Sequence, residues 1–333
     1  MKVAINGFGR IGRTVFRLLQ DKANVDVVGI NDLTDPEALA YLLRHDTVMG
    51  NFKGKAVVED GHLVTDKGAA RLIQNPKPGE LPWKELGVDF VVESTGFFRQ
   101  KAQIMQHIEA GARKVILTVP AKDEIDATIV LGVNNEDLKA EHRIVSNASC
   151  TTNCLAPMAY VLNKEFGIKS GQMTTVHAYT NDQRLIDTPH SDFRRARAAA
   201  ENIIPTTTGA ASAVGKVIPD LLGKMTGMAL RVPVPTGSVV DLVSVLGKDV
   251  TADEVNAAMK AASETDRFKG ILAYDTDHVV SSDIVGSPYS SIFDPQFTSV
   301  IDGNLLKTLS WYDNEYGYSS RVVDLLQLLE DVG

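Results

Sequence analysis

Two cysteines in 333 residues are too few for a disulfide framework, and Cys150 and Cys154 stand four apart on a segment patterned as helix. They fit a reducing compartment. Long hydrophobic runs are also missing: no stretch reaches the roughly eighteen apolar residues of a membrane span. The N-terminus has no signal-peptide pattern, because a glycine motif begins at once, so a cytoplasmic location is expected. Positive charge is short. Lys and Arg number 34 against 42 Asp and Glu, a net charge of −8, which gives no electrostatic footprint for nucleic acid or an anionic membrane. The densest basic cluster, Arg194-Arg195-Ala196-Arg197, is too local to change this. No internal repeat, low-complexity tract or disordered linker occurs. Metal binding is disfavoured as well, since Cys150 and Cys154 lack zinc-knuckle spacing and His177 and His190 show no partner pattern. What remains is an ordinary composition, 44% hydrophobic and 23% charged, at a length that suggests two domains.

The first informative presence is near the N-terminus. Lys2 to Asn6 reads as a short buried strand, Gly7-Phe8-Gly9-Arg10-Ile11-Gly12 follows, and an amphipathic helix is expected from about Arg13 to Leu19. In this setting G-x-G-x-x-G has a mechanical meaning. Gly7 permits the tight turn, Gly9 lets backbone approach a pyrophosphate, and Gly12 allows close helix–strand packing, with phosphates at the helix N-terminus. A second strand, Val25 to Asn31, ends at Asp32, about twenty residues past the third glycine, where a carboxylate binds an adenosine ribose 2′-hydroxyl. Its charge favours NAD over NADP. The other role open to Asp32 is a helix N-cap ahead of Pro36.

Strand and helix patterns alternate onward, with strands at Val88 to Glu93 and Lys114 to Thr118 and a helix from about Lys101 to Gly111. This alternation predicts a Rossmann-type, doubly wound parallel sheet with helices on both faces. Ser94-Thr95-Gly96 and Thr118-Val119-Pro120 follow two strand ends, where ligands collect in open α/β sheets. The segment from Thr47 to Pro82 reads as a strand-and-turn insertion without assignable chemistry. After Cys150 the pattern changes. Strands are expected at Gly171 to Tyr179, Met225 to Pro233, Ser238 to Leu246, Thr298 to Ile301 and Leu305 to Trp311. With helices at Ala252 to Ala262 and Ser319 to Glu330, this predicts an α+β catalytic domain with a largely antiparallel sheet. The expected domains are 1–149, completed by a C-terminal helix at about 315–333, and 150–314. Thr180 to Pro205 is polar, arginine-bearing and weakly periodic, and a loop this long is usually functional or at an interface.

Ser146-Asn147-Ala148-Ser149-Cys150-Thr151-Thr152-Asn153 sets a thiol at a polar strand-to-helix junction. Helix N-terminal N–H groups favour thiolate, so a free pKa of about 8.5 is expected to fall toward neutrality. A cysteine taken alone reads equally as an inert, buried small residue. Thiol activation needs a base, and His177 ends a threonine-rich strand where it faces a cleft or simply sits satisfied beside a sheet.

Taken together, Asn6 to Arg13, Ser149 to Asn153, His177-Ala178-Tyr179-Thr180, Arg194 to Ala200, Pro205 to Ala211 and Trp311 to Glu315 resemble, in order and over essentially the whole chain, the phosphorylating glyceraldehyde-3-phosphate dehydrogenase family. The resemblance implies that Cys150 attacks the aldehyde of glyceraldehyde 3-phosphate while His177 takes the proton. Oxidation by NAD then leaves a thioester for inorganic phosphate to cleave. It assigns the substrate phosphate to Thr180 and Arg231, and the attacking phosphate to Ser149, Thr151, Thr208 and Gly209. For the cofactor it implies pyrophosphate contacts at Arg10 and Ile11, wall residues at Thr95 and Gly96, a carboxamide partner at Asn314 and a packing ring at Tyr318. Thr208 and Gly209 also read as a helix N-cap before Ala210 to Val217. A homotetramer is implied, with the 180–205 loop against a neighbouring subunit. Thr188 and Ser212 depart from the family pattern, where a bulky apolar residue and a lysine are common. The same-fold alternative is erythrose-4-phosphate dehydrogenase, against which Tyr179 to Asp182 and Thr207 to Gly209 speak. The alternative of another class is a binding protein for RNA or a cell-surface partner.

Overall fold

The structure is a computed structural model and describes all 333 residues. They form two compact units, one of Met1–Ile129, Asn135–Ser149 and Ser319–Gly333, the other of Val130–Asn134 and Cys150–Tyr318.

The first unit is built on a nine-stranded sheet. Its elements are β1 (Lys2–Asn6), α1 (Arg10–Gln20), β2 (Asp26–Asn31), α2 (Pro36–Arg44), β3 (Ala56–Glu59), β4 (His62–Thr65), β5 (Ala69–Ile73), α3 (Trp83–Leu86), β6 (Phe90–Glu93), α4 (Lys101–Glu109), β7 (Lys114–Leu117), β8 (Ala127–Thr128) and β9 (Ile144–Ser146). The strand order is β3-β4-β5-β2-β1-β6-β7-β9-β8. Every pair from β5 to β8 is parallel, and the insertion supplies an antiparallel β3-β4-β5 edge. Central strands show no alternation: Val3, Ala4, Ile5, Val91 and Val92 are all buried, as expected where helices cover both faces.

Two local features depart from the sequence expectation. α1 begins at Arg10, three residues earlier than the apolar pattern suggested, so the glycine motif runs into the helix itself. Gly12 makes this possible, because a Cβ there would stand 2.1 Å from the Gly7 carbonyl oxygen. The residue capping α2 is Asp35, whose carboxylate accepts from the Glu37 and Ala38 N–H groups, and not Asp32.

In the second unit α5 (Cys150–Phe166) leads into β10 (Ile168–Ala178), β11 (Ile204–Thr207), α6 (Ala210–Val217), β12 (Met225–Val232), β13 (Ser238–Leu246), α7 (Ala252–Ser263), β14 (Leu272–Tyr274), β15 (Ser291–Ile301) and β16 (Leu305–Tyr312). The sheet order is β11-β12-β10-β13-β16-β15-β14. Only β10/β12 and β14/β15 pair in parallel. β15 begins at Ser291, seven residues before the expected Thr298. Pro295 lies inside it, at a break in register between Asp294 and Ser299, and proline masks a strand in the sequence pattern.

Between β10 and β11 the chain forms one isolated bridge, Arg184 with Ala198. Arg195–Asp182 and Arg197–Asp187 ion pairs, each 2.7 Å, fasten it. Leu185 and Phe193 are left 80% and 88% exposed. The last helix, α8 (Tyr316–Val332), belongs to the first unit from Ser319 onward. It buries Val322, Leu325, Leu326 and Leu329 and is tied by Asn24 to Gln327 and by Arg113 to Glu330.

Candidate active site

The candidate nucleophile is placed by a turn. β9 ends at Ser146, whose hydroxyl accepts the Ala148 N–H at 3.0 Å, and Ala148 adopts a left-handed φ of 54° before α5 opens at Cys150. Cys150 is therefore the first residue of a seventeen-residue helix, at the end where N–H groups lack intrahelical partners. His177, next to the last residue of β10, brings Nε2 to 3.5 Å from the Cys150 sulfur.

The tautomer of His177 follows from its other nitrogen. Nδ1 lies 2.7 Å from the Ala178 carbonyl oxygen and 2.9 Å from Arg231 Nη1; both Nη1 hydrogens go to the Ala178 oxygen and Thr180 Oγ1, so Nδ1 keeps its own proton for Ala178 and Nε2 carries the lone pair facing Cys150. Arg231 is His177's register partner across β10 and β12, which explains their meeting despite a sequence separation of 54. Its Nη1 donates to the Ala178 oxygen at 3.1 Å and to Thr180 Oγ1 at 2.9 Å. Arg231 has no carboxylate partner, and its buried Nε has no protein acceptor. A guanidinium left in that state is a ready anion receptor. The Thr180 hydroxyl in turn donates to Asp182.

Burial pushes the Cys150 thiol up. The Arg231 charge, the Thr151 hydroxyl and the N–H groups of Thr151 and Cys150 pull the other way without overcoming it. Burial, reinforced by Arg231, brings His177 down to about 3. At neutral pH the ligand-free pair is thus a thiol beside a neutral imidazole. This corrects the lowered thiol pKa expected from helix position alone: desolvation by the surrounding protein outweighs the helix N-terminus, although Cys150 as a residue stays partly exposed. Cys154, one turn further in, is pushed up to about 12 by burial and donates to Ser310 O at 3.5 Å and Ser291 Oγ at 3.7 Å.

Thr151 differs from its expected place. Its hydroxyl is buried against the Tyr312 hydroxyl at 2.8 Å, and Tyr312 also meets Thr175 Oγ1 at 2.9 Å. Burial raises the Tyr312 phenol well above its ordinary range. Tyr312, whose ring stands edge-on to His177, is the site residue that sequence reasoning missed, although it stands two residues before Asn314 in the quoted motif. Thr208 Oγ1 accepts the Ala210 N–H at 3.2 Å, and Gly209 precedes α6 with open space where a Cβ would stand. No hydrogen bond joins Thr208 or Gly209 to the Cys150–His177 pair. Asn314 Oδ1 accepts from Ser238 at 2.8 Å and Thr236 at 3.3 Å, which leaves Nδ2 without a protein acceptor. Tyr318 is buried.

In the first unit, β2, β1, β6 and β7 end side by side at Asn31, Asn6, Glu93 and Leu117. Asp32, the glycine loop, Ser94-Thr95-Gly96 and Thr118 therefore line one sheet edge, and Ser149 closes the segment that follows β9. The residues present fit a dinucleotide. Gly7 has φ 91° and packs against Thr95, where a Cβ would approach the backbone nitrogen to 2.6 Å. Gly9, at the N-cap of α1, has nothing within 4 Å of a Cβ position and no side-chain cap, which leaves room for a ligand against the backbone at the start of the helix. Asp32 is held by the Phe8 N–H at 2.7 Å and the Thr34 N–H at 2.9 Å, aimed along that edge. Arg10's side chain turns instead to Asp46, 2.6 Å away. The Thr118 hydroxyl donates to the Glu93 carbonyl.

A doubly wound dinucleotide-binding sheet, together with a unit presenting a thiol and an imidazole base, defines a nucleotide-dependent oxidoreductase of the thiol type. Comparison with known proteins makes this particular. Residues 1–101 match the model of the glyceraldehyde 3-phosphate dehydrogenase NAD binding domain, and residues 149–314 match that of the C-terminal domain. The chain is 57% identical to glyceraldehyde-3-phosphate dehydrogenase of Borreliella burgdorferi, over 99% of each chain. It is 56% identical to the Geobacillus stearothermophilus enzyme over 100% of this chain and 99% of that one. Identity to the Thermotoga maritima enzyme is also 56%, over 98% of each. The chain belongs to the glyceraldehyde-3-phosphate dehydrogenase family, and NAD is its cofactor.

Proposed function

We propose that this enzyme oxidises D-glyceraldehyde 3-phosphate with NAD and inorganic phosphate to 1,3-bisphosphoglycerate, in glycolysis or its reverse, through a thioester on Cys150. The carrying observation is the neutral His177 Nε2 held 3.5 Å from the Cys150 sulfur by the Nδ1 bond to Ala178. As sulfur attacks the aldehyde carbon, its proton passes to Nε2, which makes an unionised thiol competent. The developing oxyanion meets imidazolium Nε2–H and the Cys150 N–H at the helix start. The imidazolium gives this proton to the oxyanion to complete the thiohemiacetal, and the neutral His177 takes it back as hydride leaves the carbon.

Bound NAD supplies the two-electron acceptor. Its holders are the glycine-loop N–H groups of Gly9 to Gly12, Asp32 on the adenosine ribose, Thr95, Gly96 and Thr118 along the sheet edge, the free Nδ2 of Asn314, and Tyr318 as packing. Arg231 and Thr180 hold the substrate phosphate. The attacking phosphate is held by Ser149, Thr208, Gly209 and the backbone N–H of Thr151, whose hydroxyl is already committed to Tyr312. Phosphate oxygen attacks the thioester carbon and the sulfur leaves, recovering its proton. The enzyme works as a homotetramer in the cytoplasm. No helix of the chain is long and apolar enough to cross a membrane.

Initial rates test this directly. Sustained turnover is expected to require inorganic phosphate, and arsenate is expected to replace it. Arg231→Ala should weaken use of glyceraldehyde 3-phosphate more than use of unphosphorylated glyceraldehyde. Equal losses on both substrates would make Arg231 structural.

A further inference from the structure

We propose that Glu93 and His107 are positioning residues for the cofactor, acting through the Thr95–Gly96 loop; this rests on the NAD-binding role given above to the first unit's sheet edge. Both side chains are fully buried, at 0% exposure, and neither belongs to the thiol chemistry. Glu93 closes β6. Its carboxylate takes four donors and meets no Lys or Arg. Oε2 accepts from Asn6 Nδ2 at 2.5 Å and from His107 Nε2 at 3.0 Å. Oε1 accepts from the Thr95 N–H at 2.9 Å and from the Thr95 hydroxyl.

The direction of each bond is set by chemistry. Trp83 Nε1–H can only donate, and it does so to His107 Nδ1 at 3.0 Å, so the histidine proton sits on Nε2 and points at Glu93. On the other side Asn31 Nδ2 donates to Asn6 Oδ1 at 2.6 Å, and Asn31 Oδ1 accepts the Asn75 N–H at 2.9 Å. The chain Asn31–Asn6–Glu93–His107–Trp83 thereby joins the final residues of β2, β1 and β6. These strands carry the three loops bearing Asp32, the glycine motif and Thr95-Gly96.

Stability alone does not call for such a network. A buried carboxylate without a cation is costly, and apolar replacements of similar shape often serve a core as well. Its location at the ligand edge gives it a use. Glu93 captures both donors of Thr95, whose Oγ1 then accepts the Phe97 N–H at 3.1 Å, so the loop is pinned at three points. Thr95 is left with no donor to offer. The loop meets the cofactor with backbone and methyl surface, beside Gly96 at φ 69°, where a Cβ position has nothing within 4 Å.

The test compares the intact enzyme with Glu93→Gln and His107→Gln. Glu93→Gln sets an NH2 group against the Asn6 and His107 donors. It is expected to raise KM for NAD, and the dissociation constant of NADH read by fluorescence, at least about tenfold. Values of kcat and KM for glyceraldehyde 3-phosphate should stay within about twofold. His107→Gln reaches the same carboxylate from the far side and supplies the readout if Glu93→Gln does not fold. NADH affinity within about twofold of the unmutated enzyme in the folded variants, whatever their thermal midpoints, overturns the proposal. An unmutated enzyme that fails to bind NADH overturns the cofactor reading and the inference with it, whereas normal binding with indifferent variants overturns the inference alone.

Discussion

Cys150 and Cys154 occupy successive turns of α5 and differ in what surrounds each sulfur. Cys150 faces a base 3.5 Å away, while Cys154 is fully buried and held at about 12. Limiting iodoacetamide should therefore modify Cys150 first, as peptide mapping will show, and Cys154 should stay unmodified in the folded protein up to about pH 10. Cys150→Ser should abolish turnover and Cys154→Ser should keep most of it; preferential labelling of Cys154 would sink the mechanism. His177 has a consequence for stability. Unfolded imidazole binds a proton below about pH 6.5, whereas His177 in the folded protein resists protonation down to about 3. Between those values the unfolded state holds the extra proton, so this contribution is complete above about pH 6.5 and is lost toward pH 3, at about 1.4 kcal/mol per unit. Denaturant titrations of the unmutated protein and His177→Asn at pH 7 and 5 should converge as pH falls, and parallel curves would contradict the assignment. Much of this site was legible because a thiol at a polar helix start and a histidine at a strand end are local patterns. The Arg231 contact was not, since register between β10 and β12 is non-local. Nor was the raised thiol pKa, because desolvation depends on tertiary enclosure.

α1 carries a contrast between two glycines of one motif. At Gly12 a methyl would stand 2.1 Å from the Gly7 carbonyl, so Gly12→Ala must push the helix off β1. A loss of about 2 kcal/mol, in the range of overpacked cores, is expected from denaturant midpoints, together with loss of NADH binding. At Gly9 the same methyl meets nothing within 4 Å. Gly9→Ala should keep its stability within about 1 kcal/mol of the unmutated protein, near the ordinary Gly-to-Ala difference. It should nevertheless weaken NADH binding at least about tenfold, because the methyl fills the room for a ligand against the backbone at the start of the helix. Unchanged NADH affinity in Gly9→Ala would place the phosphates elsewhere. Elements with uninterrupted apolar runs, such as β1, β6 and β13, were readable from sequence within a few residues. The cap of α2 was not decidable from sequence, because Asp32 and Asp35 both precede Pro36 and only structure shows which carboxylate caps. The first half of β15 was hidden by Pro295, and the insertion's strands were readable as strands without indication that β5 would join β2.

On the scale of the molecule, the 180–203 segment holds itself together by ion pairs while exposing Leu185, Ile186, Phe193 and Ile203. Large apolar side chains clustered on one loop mark an association surface. Light scattering at micromolar concentration should give four times the 36.1 kDa chain mass. Leu185→Glu with Phe193→Glu should lower it; a stable, fully active monomer would remove the argument. The two-part architecture was legible as a change from alternating β/α patterning to strand-rich patterning after Cys150. The exchange of short segments was not: residues 130–134 cluster with the second unit and 319–333 with the first. That exchange has an outcome during synthesis. The second unit is nearly continuous from Cys150 to Tyr318, so it can close on itself as soon as its own residues leave the ribosome. The first unit was begun earlier and still waits for Ser319 onward, whose helix covers surface reached by Asn24 and Arg113. The N-terminal half therefore matures last, reversing the usual vectorial order. A polypeptide stalled just short of residue 319 would carry a finished thiol centre and an unfinished nucleotide fold, with the apolar face meant for α8 left open to chaperones.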